Sequence, residues 1–191
     1  MNDALTTLLR VLDKLGIRYF AAGSVASSIH GLPRFTQDVD LVVQIEQAHI
    51  ESLASLTSGA FYMDVNEARG AVRRGRAFNL IHLATAYKID LFPLGQDPFN
   101  ASEMARAQVQ DWSVPGADPI RLPVASAEDT ILSKLVWYRQ GGMVSDRQWN
   151  DILGVAGRAT LDRVYMRDWA QKLGIKDLLE RLFEETTALN S

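Results

Sequence analysis

The sequence predicts an α+β protein: a mixed-sheet core with flanking helices over residues 1–124, followed by a C-terminal helical bundle over residues 125–191. Three observations carry this reading. Short β-rich apolar runs alternate with amphipathic helical patterns through the first two thirds of the chain. The texture changes at Ser126, after which four consecutive segments read as helices, each opened by Ser or Asp or closed by Gly. No internal repeat, low-complexity tract or long flexible linker interrupts the chain.

Taken in order, Leu5, Leu8, Leu9, Leu12 and Leu15 recur at helical spacing, and Gly16 follows where a C-cap glycine belongs. "IRYFAAG" reads as a strand, and "SVASSIHG" as a short helix with Ser24 at its N-cap and Gly31 after its end. "DVDLVVQI" is β-rich and apolar apart from its aspartates, hence a strand. "EQAHIESLASLTSG" predicts a helix closed by Gly59. Arg69, Arg73, Arg74 and Arg76 crowd the next segment, which reads as a solvated turn or, alternatively, a basic patch for an RNA backbone. "AFNLIHLA" and "YKIDLFPL" predict a hairpin. "DPFNASEMARAQVQDW" is helical at least in part, and "PIRLPVAS" is a short strand or extended link.

Composition excludes several function classes. The chain of 191 residues has no cysteine, which removes thiolate catalysis, Fe–S clusters, cysteine-ligated zinc and a disulfide framework. A net charge of -3 argues against coating nucleic acid through bulk charge. The N-terminus carries an early acid and helical periodicity rather than a signal peptide, and no run of about 18 apolar residues could span a membrane. A cytoplasmic protein is expected.

The chemistry concentrates in the acids. On a strand, residues two apart share a face, so Asp38 and Asp40 project side by side while Val39 and Leu41 point into the core. Two carboxylates so close repel unless a positive group lies between them or one takes up a proton. Oxygen donors at this spacing suit Mg²⁺ or Mn²⁺. Asp90 is likewise a carboxylate in an apolar run, and Lys88 shares its face. If the two strands are neighbours, three carboxylates and an ammonium converge. Gly23 ends one strand and Ser24 opens a helix, an arrangement that binds phosphate. Arg34 and Thr36 stand just ahead of the aspartates, where they reach a substrate phosphate or, equally, Arg34 is a solvated loop arginine.

The pattern Gly23-Ser24, thirteen residues, Asp38-Val39-Asp40, then Ile89-Asp90-Leu91 resembles the nucleotidyltransferase superfamily with the DNA polymerase beta fold. "RFTQDVDLVV" is most similar to stand-alone prokaryotic members, including AbiEii-type toxins of toxin–antitoxin systems. Lys88 and Asp90 match their Lys-x-Asp motif, and Asp129, Lys134, Asp146, Arg147 and Asp151 are similar to their helical motif. The resemblance implies transfer of an NMP from an NTP to a hydroxyl of RNA, protein or a small molecule, with two metal ions. Asp38 and Asp40 would bridge both ions, and Asp90 would hold one of them. Lys88 would offset developing charge, and Gly23, Ser24, Arg34, Thr36 and Lys134 would bind the nucleotide. Without the resemblance, Lys134 reads as part of a solvated helix face. An antitoxin is a further partner the resemblance implies. The alternative is a non-catalytic nucleotide-binding or partner-interaction module on the same fold.

Other conspicuous residues have plainer roles. His30, His49 and His82 lack metal spacing and read as capping or surface groups. Trp137, Tyr138, Trp149 and Trp169 read as core and helix–helix contacts.

Overall fold

A computed structural model describes residues 2–33, 38–113 and 118–189. Along "DVDLVV", Val39, Leu41 and Val43 are buried while the residues between them are partly exposed, the two-residue period of a strand with one covered face. This strand, β2 (Asp38–Val43), is the centre of a mixed sheet. It pairs antiparallel with β1 (Tyr19–Ala21) and parallel with β5 (Lys88–Pro93). With β3 (Phe61–Tyr62), β4 (Phe78–His82), β6 (Gln108–Trp112) and β7 (Ile120–Val124), the described strands run in the order β3-β4-β5-β2-β1-β7-β6. The expected hairpin is β4–β5, joined by a turn in which the His82 N–H donates to the Tyr87 carbonyl at 2.8 Å. Its register lines up Leu80, Ile89 and Val39 in one buried row and Phe78, Leu91 and Leu41 in the next.

Helices accompany the sheet in the same unit. In α1 (Asn2–Lys14) the predicted stripe of Leu5, Leu8, Leu9 and Leu12 is buried. Gly16 then adopts φ +65, and the Gly16 and Ile17 N–H groups donate to Asp13 and Leu12 carbonyls, closing the helix with a Schellman turn. The segment 46–59 is a 3₁₀ turn at Gln47–His49 followed by α3 (Ile50–Thr57), which ends before Gly59. The run 97–112 divides into α5 (Pro98–Arg106), capped by Asp97, and β6.

Two expectations need correction. The arginine-rich segment is not a turn but α4 (Val65–Arg74). Asp64 caps it by accepting from the Glu67 N–H, and Gly75 ends it in the left-handed conformation. Arg73 and Arg74 occupy the last turn, where cations favour the helix dipole, and Arg69 is ion-paired with Glu51. Ser24 is not an N-cap: α2 (Gly23–His30) begins one residue earlier, so Ser24 lies within its first turn.

The chain divides into two compact units, Met1–Val25 with Phe35–Val124, and Ala26–Arg34 with Ala125–Ser191. The division falls within α2. The second unit also holds α6 (Ala127–Gln140), α7 (Asp146–Ala156), α8 (Arg163–Lys172) and α9 (Lys176–Leu189). Ser126, Ser145 and Asp162 cap α6, α7 and α8 by accepting backbone N–H groups of the first turn. Ile131, Leu132, Leu135, Ile152, Val155, Met166, Leu179 and Leu182 form its buried core. Tyr138 and Trp149 pack with ring centroids 5.3 Å apart, and the Trp149 Nε1–H donates to Glu185 Oε2 at 2.8 Å. Trp137, by contrast, is exposed, so only part of the aromatic set serves the core. His30 Nε2 donates to the Ala125 carbonyl, a bond between distant parts of the sequence, and His49 Nδ1 accepts from the Glu46 N–H, a local cap. No described helix is long and apolar enough to cross a membrane.

Gly31 sets a close approach inside the helical unit. A Cβ there would stand 3.0 Å from the backbone of both Gly154 and Val155 and 2.9 Å from the Ser27 carbonyl. Backbone cannot yield as a flexible side chain does, so Gly31→Ala is expected to destabilise the protein by about 1–3 kcal/mol, read as a lower urea midpoint.

Candidate active site

The register of β2 on β5 builds the site. Asp40 lies directly across from Asp90, and Asp38 from Lys88. β4 continues both rows, placing Asn79 across from Asp90 and Ile81 across from Lys88. One row on this face of the sheet is therefore Asp40–Asp90–Asn79 and the next Asp38–Lys88–Ile81. The opposite face carries the buried Val39, Leu41, Leu80, Ile89 and Leu91. The register puts the three acids and the lysine on one face, in two adjacent rows.

Gly23 closes the patch on the β1 side. The Ala22 N–H donates to the Asp40 carbonyl at 3.0 Å, extending the β1–β2 pairing to the residue before it. Gly23 itself has φ +54, a conformation that disfavours L side chains. A Cβ on it would collide with Asp40 Oδ2 and stand 2.8 Å from Asp40 Cγ. Glycine is thus required twice over, by the backbone and by the carboxylate packed against it. The consequence is electrostatic: the positive end of the α2 dipole starts beside the Asp40 carboxylate.

Lys88 answers the acids directly. Its Nζ is 2.7 Å from Asp90 Oδ2; the Asp90 side chain is 16% exposed and that of Lys88 45%. The Asp90 hydrogen bond holds the ammonium above its ordinary pKa against the opposing effect of burial, and the charges of Asp90, Asp38 and Asp40 act in the same direction. Tyr87 adds a neutral donor. Its hydroxyl is buried without a hydrogen-bond partner, and burial, then the charges of Asp38 and Asp40, push its pKa up. Neither Tyr87 nor Asn79 was singled out by the sequence reading. Asn79 carried a usable signal, a polar residue at the alternation that marks the acids; Tyr87, just outside the strand, carried none.

Arg34 and Thr36 fall outside the described residues. Lys134 is on α6 in the helical unit, paired with Asp151 at 3.3 Å, and the two side chains are only 13% and 17% exposed. The solvated face expected for it is thereby corrected, because Asp151 draws the ammonium inward. Asp129 is wholly buried and accepts from Ser126 Oγ at 2.8 Å and from the Tyr165 hydroxyl at 2.5 Å, which gives it a part in holding α6 and α8.

The donor chemistry of the patch fits a hard divalent cation. Asp38 and Asp40 offer carboxylate oxygens, and their charges act on the buried Tyr87 hydroxyl. Among the described residues, however, no three His, Asp or Glu side chains are drawn together as one ligand cluster. Asp90 is ion-paired with Lys88, and Asp38 and Asp40 are the other carboxylates on this face that would hold an ion.

Comparison with known proteins bears on the fold. No protein-family model and no curated protein matches the sequence. Among solved structures, a nucleotidyltransferase-like antigenic protein of Paracoccidioides brasiliensis matches 94% of this chain and 91% of its own, with 16% identity and a TM-score of 0.50. The chain has the nucleotidyltransferase fold, α+β with a mixed sheet, as the sequence led us to expect. Weaker likenesses, which add no argument, are to the lincosamide adenylyltransferase LnuA bound to lincomycin and to MenT4, a nucleotidyltransferase toxin of Mycobacterium tuberculosis. The first covers 83% of this chain and 98% of that one at 12% identity and TM-score 0.49. The second covers 89% and 62% at 18% identity and TM-score 0.47.

Gly23→Ala tests the close packing at Asp40. The left-handed backbone alone should cost about 1–2 kcal/mol, and the new methyl should push the Asp40 carboxylate out of place. A lowered melting temperature together with weakened Mn²⁺ binding is the expected result; wild-type values for both would contradict the geometry.

Proposed function

We propose that the protein is a nucleotidyltransferase that moves an NMP unit from an NTP to a hydroxyl acceptor. The observation that carries this reading is Asp40 set directly across from Asp90 on adjacent strands, with Asp38 beside them and the start of α2 against Asp40. Two like charges opposed in a sheet repel. A fold that holds them there is suited to binding positive charge.

In this reading Asp38 and Asp40, with Asp90 across from Asp40, would hold Mg²⁺ or Mn²⁺. Bound divalent metal would supply charge stabilisation at the transferring phosphoryl group and acidify the attacking hydroxyl. The chain's own groups orient the rest. The first turn of α2, through Gly23 and Ser24, would bind phosphate oxygens at a helix N-terminus. Lys88 would bring an ammonium to charge developing on the leaving pyrophosphate, and Tyr87 a neutral O–H donor. The acceptor oxygen attacks the α-phosphorus, the bond to the β-phosphate oxygen breaks, and the hydroxyl proton passes to solvent. The assignments of Arg34, Thr36 and Lys134 to the nucleotide rest on motif resemblance alone.

One observation favours the alternative of a module that holds nucleotide without turning it over: Asp90 is already ion-paired. The two readings separate in one experiment. With α-³²P-labelled NTPs, Mg²⁺ or Mn²⁺ and a cell extract, the wild type should label an RNA, protein or small-molecule acceptor. Asp40→Ala should lower that labelling by roughly two orders of magnitude or more. Labelling unchanged by Asp40→Ala would sink the enzymatic reading, and nucleotide binding without any product would favour the module.

A toxin-like role with an antitoxin partner is the finer form of the proposal. It predicts growth arrest on expression, relieved by the product of a neighbouring gene and abolished by Asp38→Ala. Arrest that persists with Asp38→Ala would separate toxicity from the acidic patch.

A further inference from the structure

The Lys88–Asp90 ion pair is lopsided. Its carboxylate is sheltered on a strand interior to the sheet, while its ammonium sits at the end of a flexible stem nearly half exposed. The acid cannot follow its partner into water, whereas the lysine can leave by rotating about its own side-chain bonds. Asp38 and Asp40 act on the same ammonium through their charge. Lys88 therefore neutralises part of a patch of three carboxylates while resting on one of them. A divalent cation that needs an Asp90 oxygen meets this ammonium first.

We propose that Lys88 is a resident counter-ion of Asp90, displaced when a divalent cation binds and thereby released toward the phosphates of the nucleotide. The inference rests on the nucleotidyl-transfer reading and adds an order to it: metal first, then the lysine's contact with phosphate. Until displacement occurs, the ammonium is committed to Asp90. The same residue thus opposes one ligand and favours the next. An ion pair with only a structural role has no such double signature.

The test is Mn²⁺ binding by the full chain without nucleotide, with the free ion followed by electron paramagnetic resonance. Removing one positive charge next to the site should tighten Mn²⁺ binding about tenfold in Lys88→Met. Asp90→Asn should weaken binding, and in its background Lys88→Met should give no such gain. At saturating Mn²⁺, Lys88→Met should bind a non-hydrolysable ATP analogue about tenfold more weakly than wild type. Thermal denaturation checks that each variant is folded, and Lys88→Gln replaces Lys88→Met if the latter is not. Mn²⁺ binding no tighter in the Lys88 variant, or a gain that survives Asp90→Asn, overturns the proposal while leaving nucleotidyl transfer intact. Absence of Mn²⁺ binding in folded wild type and in every variant overturns both.

Discussion

The constraint behind the site is the parallel pairing of β2 with β5. In a ladder, residues directly opposite share a face, so registering Val39 on Ile89 and Leu41 on Leu91 also forces Asp40 onto Asp90. The apolar rows make this register favourable, since a slip of one residue would turn every buried side chain to the other face. The hydrophobic side of the sheet thereby supplies the rigidity with which the polar side holds repelling charges. Stability on one face is converted into electrostatic tension on the other.

That tension explains what surrounds the acids. The start of α2 is packed against Asp40 as tightly as a glycine allows, and Lys88 is one strand period from Asp90 on the same face. Both place positive charge at carboxylates. The partnerless Tyr87 hydroxyl belongs to the same logic, because a buried donor without an acceptor costs free energy unless something completes it.

Much of this was legible in the sequence, and for a physical reason. The alternation in "DVDLVV" and "YKIDLF" states which residues share a face, and a carboxylate inside it is conspicuous because burial is expensive. What the sequence did not state was that strands separated by some fifty residues would be neighbours, or that they would run parallel. The helix α4 escaped because a coat of arginines and the small size of Ala68, Gly70 and Ala71 obscure its buried stripe. β3, two residues long, is too brief to show any period. The burial of Lys134 was hidden for another reason: its partner Asp151 belongs to the next helix, and a helical wheel shows only one helix at a time.

The turn between β4 and β5 has a consequence for how such a chain can change length. It spans 83–87, is pinned by the bond between His82 and Tyr87, and includes Ala86 in a left-handed conformation. Because faces alternate residue by residue, a residue inserted within the turn ahead of Tyr87 leaves the faces of β4 and β5 unchanged. A one-residue shift carried through β5 would turn Lys88 and Asp90 toward the core and bring Ile89 to the other face. Gain and loss of residues in descent would therefore accumulate between the strands and be excluded from within them, so loop length records divergence while strand length preserves the site.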